Sequence, residues 1–236
     1  MSALAAEQPT SLVDRIQQLL QRVDYRCAET PEDRAAIFRL RYEAYLREGA
    51  ISPNSTEQFS DPVDDRENTW IFGVYVDGEL ASSIRLSVTV PGIIYIPALD
   101  VFSDVLLGDI LAGKKFIDPT RFVADREFSR RYPELPYVTL RLPWLALEYF
   151  NADYMLAAVR AEHQPFYKRL WGHKAVCAPR AYPNLQKPIS LMTLDYREAC
   201  ERTYRRYPFF HSTQFERRML FERGHHHSLS QRSAAA

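Results

Sequence analysis

The sequence contains little glycine, since its 236 residues include 8 glycines against 15 prolines. Few positions can therefore form a glycine-rich loop that brings backbone amides close to a phosphate group. Cysteine is also scarce: the chain has 3, widely spaced and without a CxxC pair. This spacing argues against a disulfide framework or a zinc site, and we expect no bound metal.

Neither sign of charge dominates, because Lys plus Arg and Asp plus Glu each number 30. The balance does not indicate nucleic acid or an anionic membrane as a partner. No apolar run approaches the roughly 18 residues of a membrane span, and the first residues lack the basic start and apolar core of a signal peptide. We expect a cytoplasmic protein without a transmembrane segment.

The apolar periodicity predicts alternating strands and helices. A short amphipathic helix over residues 11–22 is expected to come first. The later predicted elements are a strand at 23–28, a helix at 31–48, a hairpin over 70–90, a partly helical crossover at 91–116, strands at 116–124 and 154–159, helices at 139–151 and 164–171, strands at 175–178 and 189–194, and a helix at 196–207. This order predicts an α/β fold around a mixed sheet.

The candidate functional residues are charged groups next to predicted elements. Arg41 lies on the apolar stripe of the first long helix, where it either meets an anionic partner or extends its charged end to solvent. Arg85 lies on the polar face of a strand. The polar loop 49–68, long enough to suggest a function, carries Asp61 and Asp64. Together these groups could fix the loop and present a carboxylate to an amine.

This series of residues resembles a known family. The matching positions are Arg41 with Tyr45, Asp61 with Asp64, Arg85 in Ser-Ile-Arg-Leu, Phe102, and Asp118-Pro-Thr120-Arg121-Phe. They resemble the LuxI-type autoinducer synthases, except that Asp118 and Thr120 stand where that family has glutamate and serine, and its early tryptophan has no clear counterpart here. Over residues 24–196 the chain is more similar to the FeeM-like N-acyl amino acid synthases, through the segments at 41–45 and 162–169.

The resemblance implies a GNAT acyltransferase fold over residues 23–207, with a mixed sheet that splays into a V where strand 117–124 meets strand 154–160. It implies transfer of a fatty acyl group from acyl carrier protein to the amine of an amino acid. The implied substrate-binding residues are Arg41, Tyr45, Asp61, Asp64, Arg85, Phe102, Thr120 and Arg121. Arg85 or Arg41 would bind the amino acid carboxylate as a bidentate fork. We treat residues 1–22 as a helical extension and 208–236 as a polar tail, expected to be disordered.

The positions of the glycines also bear on the identity of the acyl donor. No glycine occurs between Gly113 and Gly172, and residues 125–138 replace the glycine-containing turn that GNAT enzymes use for the CoA pyrophosphate. An acyl-phosphopantetheine carried by a protein needs no such cradle, so acyl carrier protein is favoured over acyl-CoA, with no bound cofactor. Candidate contacts for its acidic surface, or else members of a solvated face, are Arg126, Arg130, Arg131, Lys168 and Arg169.

Acyl transfer to an amine requires a base for the ammonium proton and an acid for the leaving thiolate. Tyr167 occupies the position of the acid in the Phe-Tyr pair of GNAT enzymes. His163 is a base or a structural histidine, and Asp118 is the alternative base by resemblance. The run at 225–227, three histidines, is expected to be a tail feature and not a metal site.

Two other functions remain open from the sequence. The first is an acyl-homoserine lactone synthase, against which the missing tryptophan and the Asp118 and Thr120 replacements weigh. The second is a catalytically silent GNAT-like module that binds an acyl or amino acid ligand. This alternative would gain if Asp118 or Tyr167 pointed away from the cleft.

Overall fold

The structure is a computed structural model, and it describes residues 11–182 and 187–223. The helices are α1 Leu12–Leu20, α2 Pro31–Arg47, α3 Leu99–Leu111, α4 Arg126–Arg131, α5 Leu135–Tyr149, α6 Gln164–Trp171, α7 Tyr196–Arg206 and α8 Gln214–Phe221. The strands are β1 Val23–Cys27, β2 Thr69–Val76, β3 Glu79–Val88, β4 Phe116–Ala124, β5 Tyr154–Val159, β6 Lys174–Ala175 and β7 Ser190–Asp195. Short 3-10 helices cover Pro62–Asp65, Ala161–His163 and Pro208–Phe210.

The strands form one mixed sheet in the order β1-β2-β3-β4-β5-β7-β6. Its neighbours are antiparallel except β4 and β5, which run parallel. These two strands pair only at Phe116 with Tyr154 and at Ile117 with Met155. Beyond that point β4 continues to Ala124 and β5 continues to Val159, but the two strands no longer pair with each other. A V-shaped slot therefore opens between them, which confirms the predicted splay.

The helix starts follow from local chemistry. The Thr30 hydroxyl accepts a hydrogen bond from the Asp33 amide, 3.1 Å away, and Pro31 occupies the first turn of α2. Helix α5 begins at Leu135, four residues before the predicted start at Thr139. That prediction was wrong because a proline such as Pro136 is tolerated in the first turn, where its missing N–H has no intrahelical partner anyway.

The two faces of the sheet differ in what covers them. The main apolar core lies under α1, α5, α7 and α8 and includes the stacked rings of Trp144 and Trp171, 5.6 Å apart. Helices α2 and α3 cover the opposite face, with three smaller apolar clusters beneath them. The charged groups singled out in the sequence lie on this second face, between α2 and strands β3 and β4.

The expected disorder from residue 208 onward is wrong for residues 208–223. Phe209, Phe210 and Phe221 are buried in the main core. Arg141 of α5 donates hydrogen bonds to the carbonyls of Phe209 and His211, at 2.7 and 2.8 Å, and pairs with Glu216. The segment is polar on average, but its aromatic residues are spaced so that they pack into the main core. Residues 224–236, with the histidine run at 225–227, lie outside the described residues, as do residues 1–10.

We expect Phe210→Leu to destabilise the protein by about 1–1.5 kcal/mol, because the smaller side chain leaves the aromatic core under-packed. Phe210 is 0% exposed and touches both Trp144 and Trp171. Phe215, five residues later and 73% exposed, provides the matched control: Phe215→Leu should change stability by less than about 0.5 kcal/mol. Urea unfolding measures both, and equal values for the two variants would contradict the ordered tail.

Candidate active site

The slot between β4 and β5 presents an open strand edge. Past Ile117, β4 has no neighbour on its β5 side, so its peptide groups on that side are free to hydrogen-bond an extended ligand. The β3–β4 register also shifts, since Ser83 pairs with Val123 but Arg85 pairs with Thr120. The extra residue forms a bulge in which Arg121 adopts a positive φ of 53°. Such a slot can hold a narrow arm that carries the acyl group.

Beside the slot, the 3-10 helix at Pro62–Asp65 is held by a network of buried ion pairs. Asp64 Oδ1 lies 2.9 Å from Arg41 Nη1 and 3.1 Å from Arg85 Nη1. Asp61 Oδ1 lies 2.6 Å from Arg85 Nη1, and its Oδ2 lies 2.6 Å from Arg121 Nη2. Arg41 is 0% exposed, so it pairs with an acid and does not extend to solvent. The two aspartates thus tie the long loop to α2, β3 and β4.

The ion pairs of this network oppose the effect of burial on the pKa values of its members. Desolvation resists ionisation of Asp61, but Arg85 and Arg121 outweigh it and hold the pKa of Asp61 at about 2. Burial lowers the pKa of Arg41, and the Asp64 carboxylate counters that effect. The Asp61 side chain also accepts a hydrogen bond from the Val63 amide, and Asp64 accepts one from the Asp61 amide, both at 2.9 Å. The spacing of three between the aspartates is therefore a capping box of the short helix.

The remaining predicted substrate-binding residues surround this network. Thr120 Oγ1 accepts a hydrogen bond from Arg85 Nε at 2.9 Å. Tyr45 packs against Phe59 with ring centroids 4.9 Å apart, and Arg121 lies over the Phe59 ring at 4.7 Å. Phe102 lies elsewhere: it is fully buried in the apolar cluster under α3, at a kink in that helix. That cluster adjoins the slot through Phe116 of β4 and Leu156 of β5.

Asp118 is the unusual acid of this region. It is 0% exposed, and its Oδ2 accepts a hydrogen bond from the Ala98 amide at 2.8 Å, while its Oδ1 has no partner in the part of the chain that the structure describes. Burial raises the pKa of Asp118 to about 7, opposed by the Ala98 hydrogen bond and by the charge of Arg85. Asp118 pairs with Ser87, two positions along the ladder from the Arg85–Thr120 pair and on the same face of the sheet. A carboxyl that titrates near neutral pH can take a proton from an ammonium group and release it again.

His163, one of the two candidate bases, lies outside the core. Strand β5 ends at Val159, and His163 lies exposed at the end of a 3-10 helix, with Nε2 3.1 Å from Arg160 Nη2. The core histidine is His173, whose pKa burial lowers to about 3, against the opposing effect of the Tyr167 carbonyl. No periodic pattern marks His173 as a core residue, because it follows the helix end at Gly172 and is buried through tertiary packing.

Tyr167 lies on α6, which follows β5 after the 3-10 helix Ala161–His163. Its ring packs edge-on against Phe166 and His173, with centroids 5.4 and 5.6 Å away. Burial raises the pKa of Tyr167 to about 12, so its hydroxyl keeps its proton near neutral pH. Among the described residues that hydroxyl has no hydrogen-bond partner.

The predicted carrier-binding residues are exposed on two helices that follow the two arms of the V. Arg126, Arg130 and Arg131 lie on α4 after β4, and Lys168 and Arg169 lie on α6 after β5. Arg130 pairs with Glu127 of its own helix at 3.4 Å. The other four have no acidic partner among residues 11–182 and 187–223. Arg206 of α7 extends the group and was missed in the sequence; its Nη1 donates to the Arg169 carbonyl at 3.3 Å.

Three further residues near the site carry no motif. Arg34 of α2 donates to the Asp64 carbonyl and pairs with Asp65 at 2.5 Å, which strengthens the hold on the loop. Tyr95 precedes α3, and Tyr182 lies in the loop before β7, with its hydroxyl 3.4 Å from the Pro97 carbonyl. A single sequence gives no periodic signal for such loop residues.

Among the described residues, no group of three His, Cys, Asp or Glu side chains is arranged to hold a metal, and no helix is long and apolar enough to span a membrane.

Comparison with known proteins identifies the family. The family model "N-acyl amino acid synthase FeeM" matches residues 36–195, more than half of the chain. Among solved structures, FeeM from uncultured soil microbes superposes with a TM-score of 0.63 at 20% identity, covering 75% of this chain and 92% of that chain. A Pseudomonas aeruginosa protein described as an acyl-CoA N-acyltransferase gives 0.51 at 19% identity, covering 73% and 99%.

A third structure is BjaI, described as a CoA-dependent acyl-homoserine lactone synthase with SAM and isopentyl-CoA. It gives a TM-score of 0.52 at 15% identity and covers 79% of this chain and 89% of its own. No curated protein matches the sequence. These structures share the GNAT acyltransferase fold, with its splayed mixed sheet. The chain belongs to the FeeM family of N-acyl amino acid synthases, and it is an N-acyltransferase with a GNAT fold.

Proposed function

We propose that this enzyme transfers a long-chain fatty acyl group from acyl carrier protein to the amine of an amino acid, in the cytoplasm of a bacterium. The observation that carries the proposal is the position of Asp118. This partly neutral, buried carboxyl lies on the strand that forms one wall of the slot, with one oxygen unpaired.

The reaction can be written with the residues at hand. Asp118 Oδ1 takes a proton from the acceptor ammonium, and the amine nitrogen attacks the thioester carbonyl carbon. The C–N bond forms as the carbonyl becomes a tetrahedral oxyanion, which free peptide N–H groups on the open edge of β4 could stabilise. The C–S bond then breaks, the Tyr167 hydroxyl donates its proton to the leaving thiolate, and the nitrogen releases its second proton to solvent, from which Tyr167 regains a proton. An amide and a free phosphopantetheine thiol result.

The choice of acyl carrier protein rests on the surface around the slot. Helix α4 occupies the segment after β4 where a glycine turn would bind a CoA pyrophosphate. Glu134 directly precedes the next helix, α5, and is held at 2.5 Å by Arg15. An acid at that helix start disfavours a second anion there. The exposed cations on α4 and α6 flank the slot instead, and they match the acidic surface of a carrier protein.

The long acyl chain rests on the apolar cluster next to the slot. Its buried members include Phe102 and Leu106 of α3, Phe116 of β4 and Leu156 of β5. An apolar chain that enters beyond the thioester would therefore meet side chains it can pack against. These buried side chains would move apart to admit the acyl chain.

For the donor, we expect kcat/KM with acyl carrier protein to exceed that with the matching acyl-CoA by at least about 10-fold, because only the protein donor engages the cation group. Lys168→Glu with Arg169→Glu should lower the carrier-protein value and leave the acyl-CoA value unchanged. The control is Lys174→Glu, an exposed lysine of β6 that already pairs with Glu198.

Raising the salt concentration should slow only the carrier-protein reaction, since charge steering is screened beyond about 8–10 Å at physiological ionic strength. Equal kcat/KM for the two donors would contradict the carrier-protein proposal. So would a charge reversal that slows both donors alike.

A further inference from the structure

The two arginines expected to bind the acceptor carboxylate are already occupied. Arg85 Nη1 binds both Asp61 and Asp64, and its Nε donates to Thr120. Arg85 is 2% exposed and Arg41 is 0% exposed. A substrate carboxylate at either residue would have to displace a buried aspartate, whose uncompensated charge would then be costly. The acceptor carboxylate therefore needs another cation.

Arg66 is a cation in a suitable place. It follows the 3-10 helix of the network directly, and its amide donates to the Val63 carbonyl at 3.2 Å. Its guanidinium lies over the Tyr95 ring, 3.9 Å from the centroid. The Arg66 side chain is exposed, and no carboxylate of the described residues lies within ion-pair distance of it. Its hydrogen-bond donors are thus available to a ligand.

The stack of Arg66 on Tyr95 is held from both sides. The Tyr95 carbonyl accepts a hydrogen bond from Asn68 Nδ2 at 2.8 Å, and Asn68 also donates to the Val88 carbonyl at 2.8 Å. The Tyr95 hydroxyl lies 3.1 Å from Asp100 Oδ2. Because Asn68 is buried and follows Arg66 by two residues, the same short segment fixes both partners of the stack. A guanidinium held in this way loses little conformational freedom when it binds an anion.

The stack is close to the proposed base. Ala98, whose amide binds the Asp118 carboxyl, follows Tyr95 by three residues. The Tyr182 hydroxyl lies 3.4 Å from the carbonyl of Pro97, the residue before Ala98, so Tyr182 contacts the same segment. In an α-amino acid the carboxylate and the amine are attached to the same carbon. An acceptor whose amine reaches Asp118 therefore places its carboxylate within a few ångströms of that carboxyl. Arg66 is a nearby cation, through its stack on Tyr95, that forms no ion pair with the described residues.

We propose that Arg66, stacked on Tyr95, binds the carboxylate of the acceptor amino acid and so makes the enzyme selective for α-amino acids over other amines. The assignment rests on the proposed function. Lysine would not replace Arg66 well, because an ammonium group lacks the planar face that stacks on the ring and the paired donors that match a carboxylate.

The test compares Arg66→Met with the wild-type enzyme on two acceptor pairs, L-tyrosine with L-tyrosinamide and L-leucine with L-leucinamide. The methionine keeps an apolar stem over Tyr95 and removes the charge. We expect KM for the amino acids to rise roughly 10- to 100-fold, the range of a lost charge-assisted hydrogen-bond pair. KM for the amides and for the acyl donor should stay unchanged. Arg66→Lys should recover only part of the loss.

Arg26→Met is the matched control, since Arg26 also lies over a tyrosine, 4.2 Å from the Tyr75 centroid, but on the edge strand β1. This variant should leave KM unchanged for both the amino acids and the amides. An Arg66→Met enzyme with unchanged KM for the amino acids would overturn the assignment. So would equal losses on amino acids and amides, which would make Arg66 a structural residue. Wild-type enzyme that acylates none of the twenty proteinogenic amino acids would overturn the proposed function and this assignment together.

Discussion

Replacing Asp118 by asparagine is expected to lower kcat by about 100-fold or more, the usual contribution of a positioned general base. Asparagine has nearly the same shape as aspartate, and its carbonyl oxygen can still accept the hydrogen bond from the Ala98 amide. The variant therefore keeps its packing and loses only the group that takes the proton. Single-turnover kinetics with saturating donor and acceptor measure the effect on chemistry alone.

The pH dependence gives the same test a second readout. Because burial raises the pKa of Asp118 to about 7, the base is protonated at lower pH, and kcat of the wild type should rise with pH through about 7. The Asp118→Asn variant should lack this inflection. As a control, Asp24→Asn removes an exposed carboxylate of the edge strand β1 and should leave both kcat and the profile unchanged. An Asp118→Asn enzyme with full activity would show that another group is the base.

The raised pKa of Asp118 also determines how the stability of the fold changes with pH. The folded-state pKa of Asp118 lies above its value in the unfolded chain, so the folded state binds this proton more tightly. The resulting stabilisation is fully present below about pH 4 and is lost as the pH rises through about 7. Asparagine is neutral throughout, so Asp118→Asn should melt increasingly above the wild type between pH 5 and pH 8. A constant Tm difference over that range would contradict the raised pKa.

Replacing Asp64 by alanine is expected to destabilise the fold by roughly 3–5 kcal/mol. The change leaves the guanidinium of Arg41 buried without its acid and removes one of the two acids that Arg85 contacts. It also breaks the capping box at the start of the 3-10 helix Pro62–Asp65, so the loop loses its anchor. Activity with every donor and acceptor should fall together, since the loop no longer closes the wall of the site.

Asp65 provides a matched control in the same turn. Its side chain is 77% exposed and pairs with Arg34 at the surface. Asp65→Ala should therefore cost less than about 1 kcal/mol and keep most of the activity. Urea unfolding measures the free energy of unfolding of both variants, and an unchanged m-value shows that the differences are differences in stability. Comparable losses of stability for Asp64→Ala and Asp65→Ala would mean that the buried network does not hold the loop.

The acid stability of the enzyme depends on the same network. Desolvation alone would favour the neutral form of Asp61, but Arg85 and Arg121 keep its pKa at about 2. Because this value lies below that of an unfolded aspartate, the stabilisation is present above about pH 4 and is lost as the pH falls toward 2.

The convergence of the charged residues could be predicted from the sequence more readily than the structure around them. The capping spacing of Asp61 and Asp64 and the alternation that puts Arg85 on a polar strand face are local patterns, so they can be read without a structure. The bounds of β4 are also local, since apolar residues mark both of its ends, Phe116 with Ile117 and Phe122 to Ala124. The convergence of these charges followed from the requirement that a buried arginine find an acid.

The features that the sequence missed depend on distant contacts. Phe210 is ordered because it meets Trp144 and Trp171, which lie far from it along the chain. The buried position of His173 and the approach of Tyr182 to Asp118 have the same origin. The assignment of the acceptor carboxylate to Arg85 or Arg41 did not take into account that their aspartate partners would occupy them.

The central claim is that the enzyme joins an acyl group to the amine of an amino acid. The most direct measurement incubates the purified full-length enzyme with a defined acyl carrier protein carrying a long-chain acyl group, an equimolar mixture of the twenty proteinogenic amino acids, and S-adenosylmethionine. Mass spectrometry of the organic extract then reports the product. We expect the mass of one or a few N-acyl amino acids, absent with Asp118→Asn. An acyl-homoserine lactone as the main product, or the absence of any acylated amine, would contradict the account.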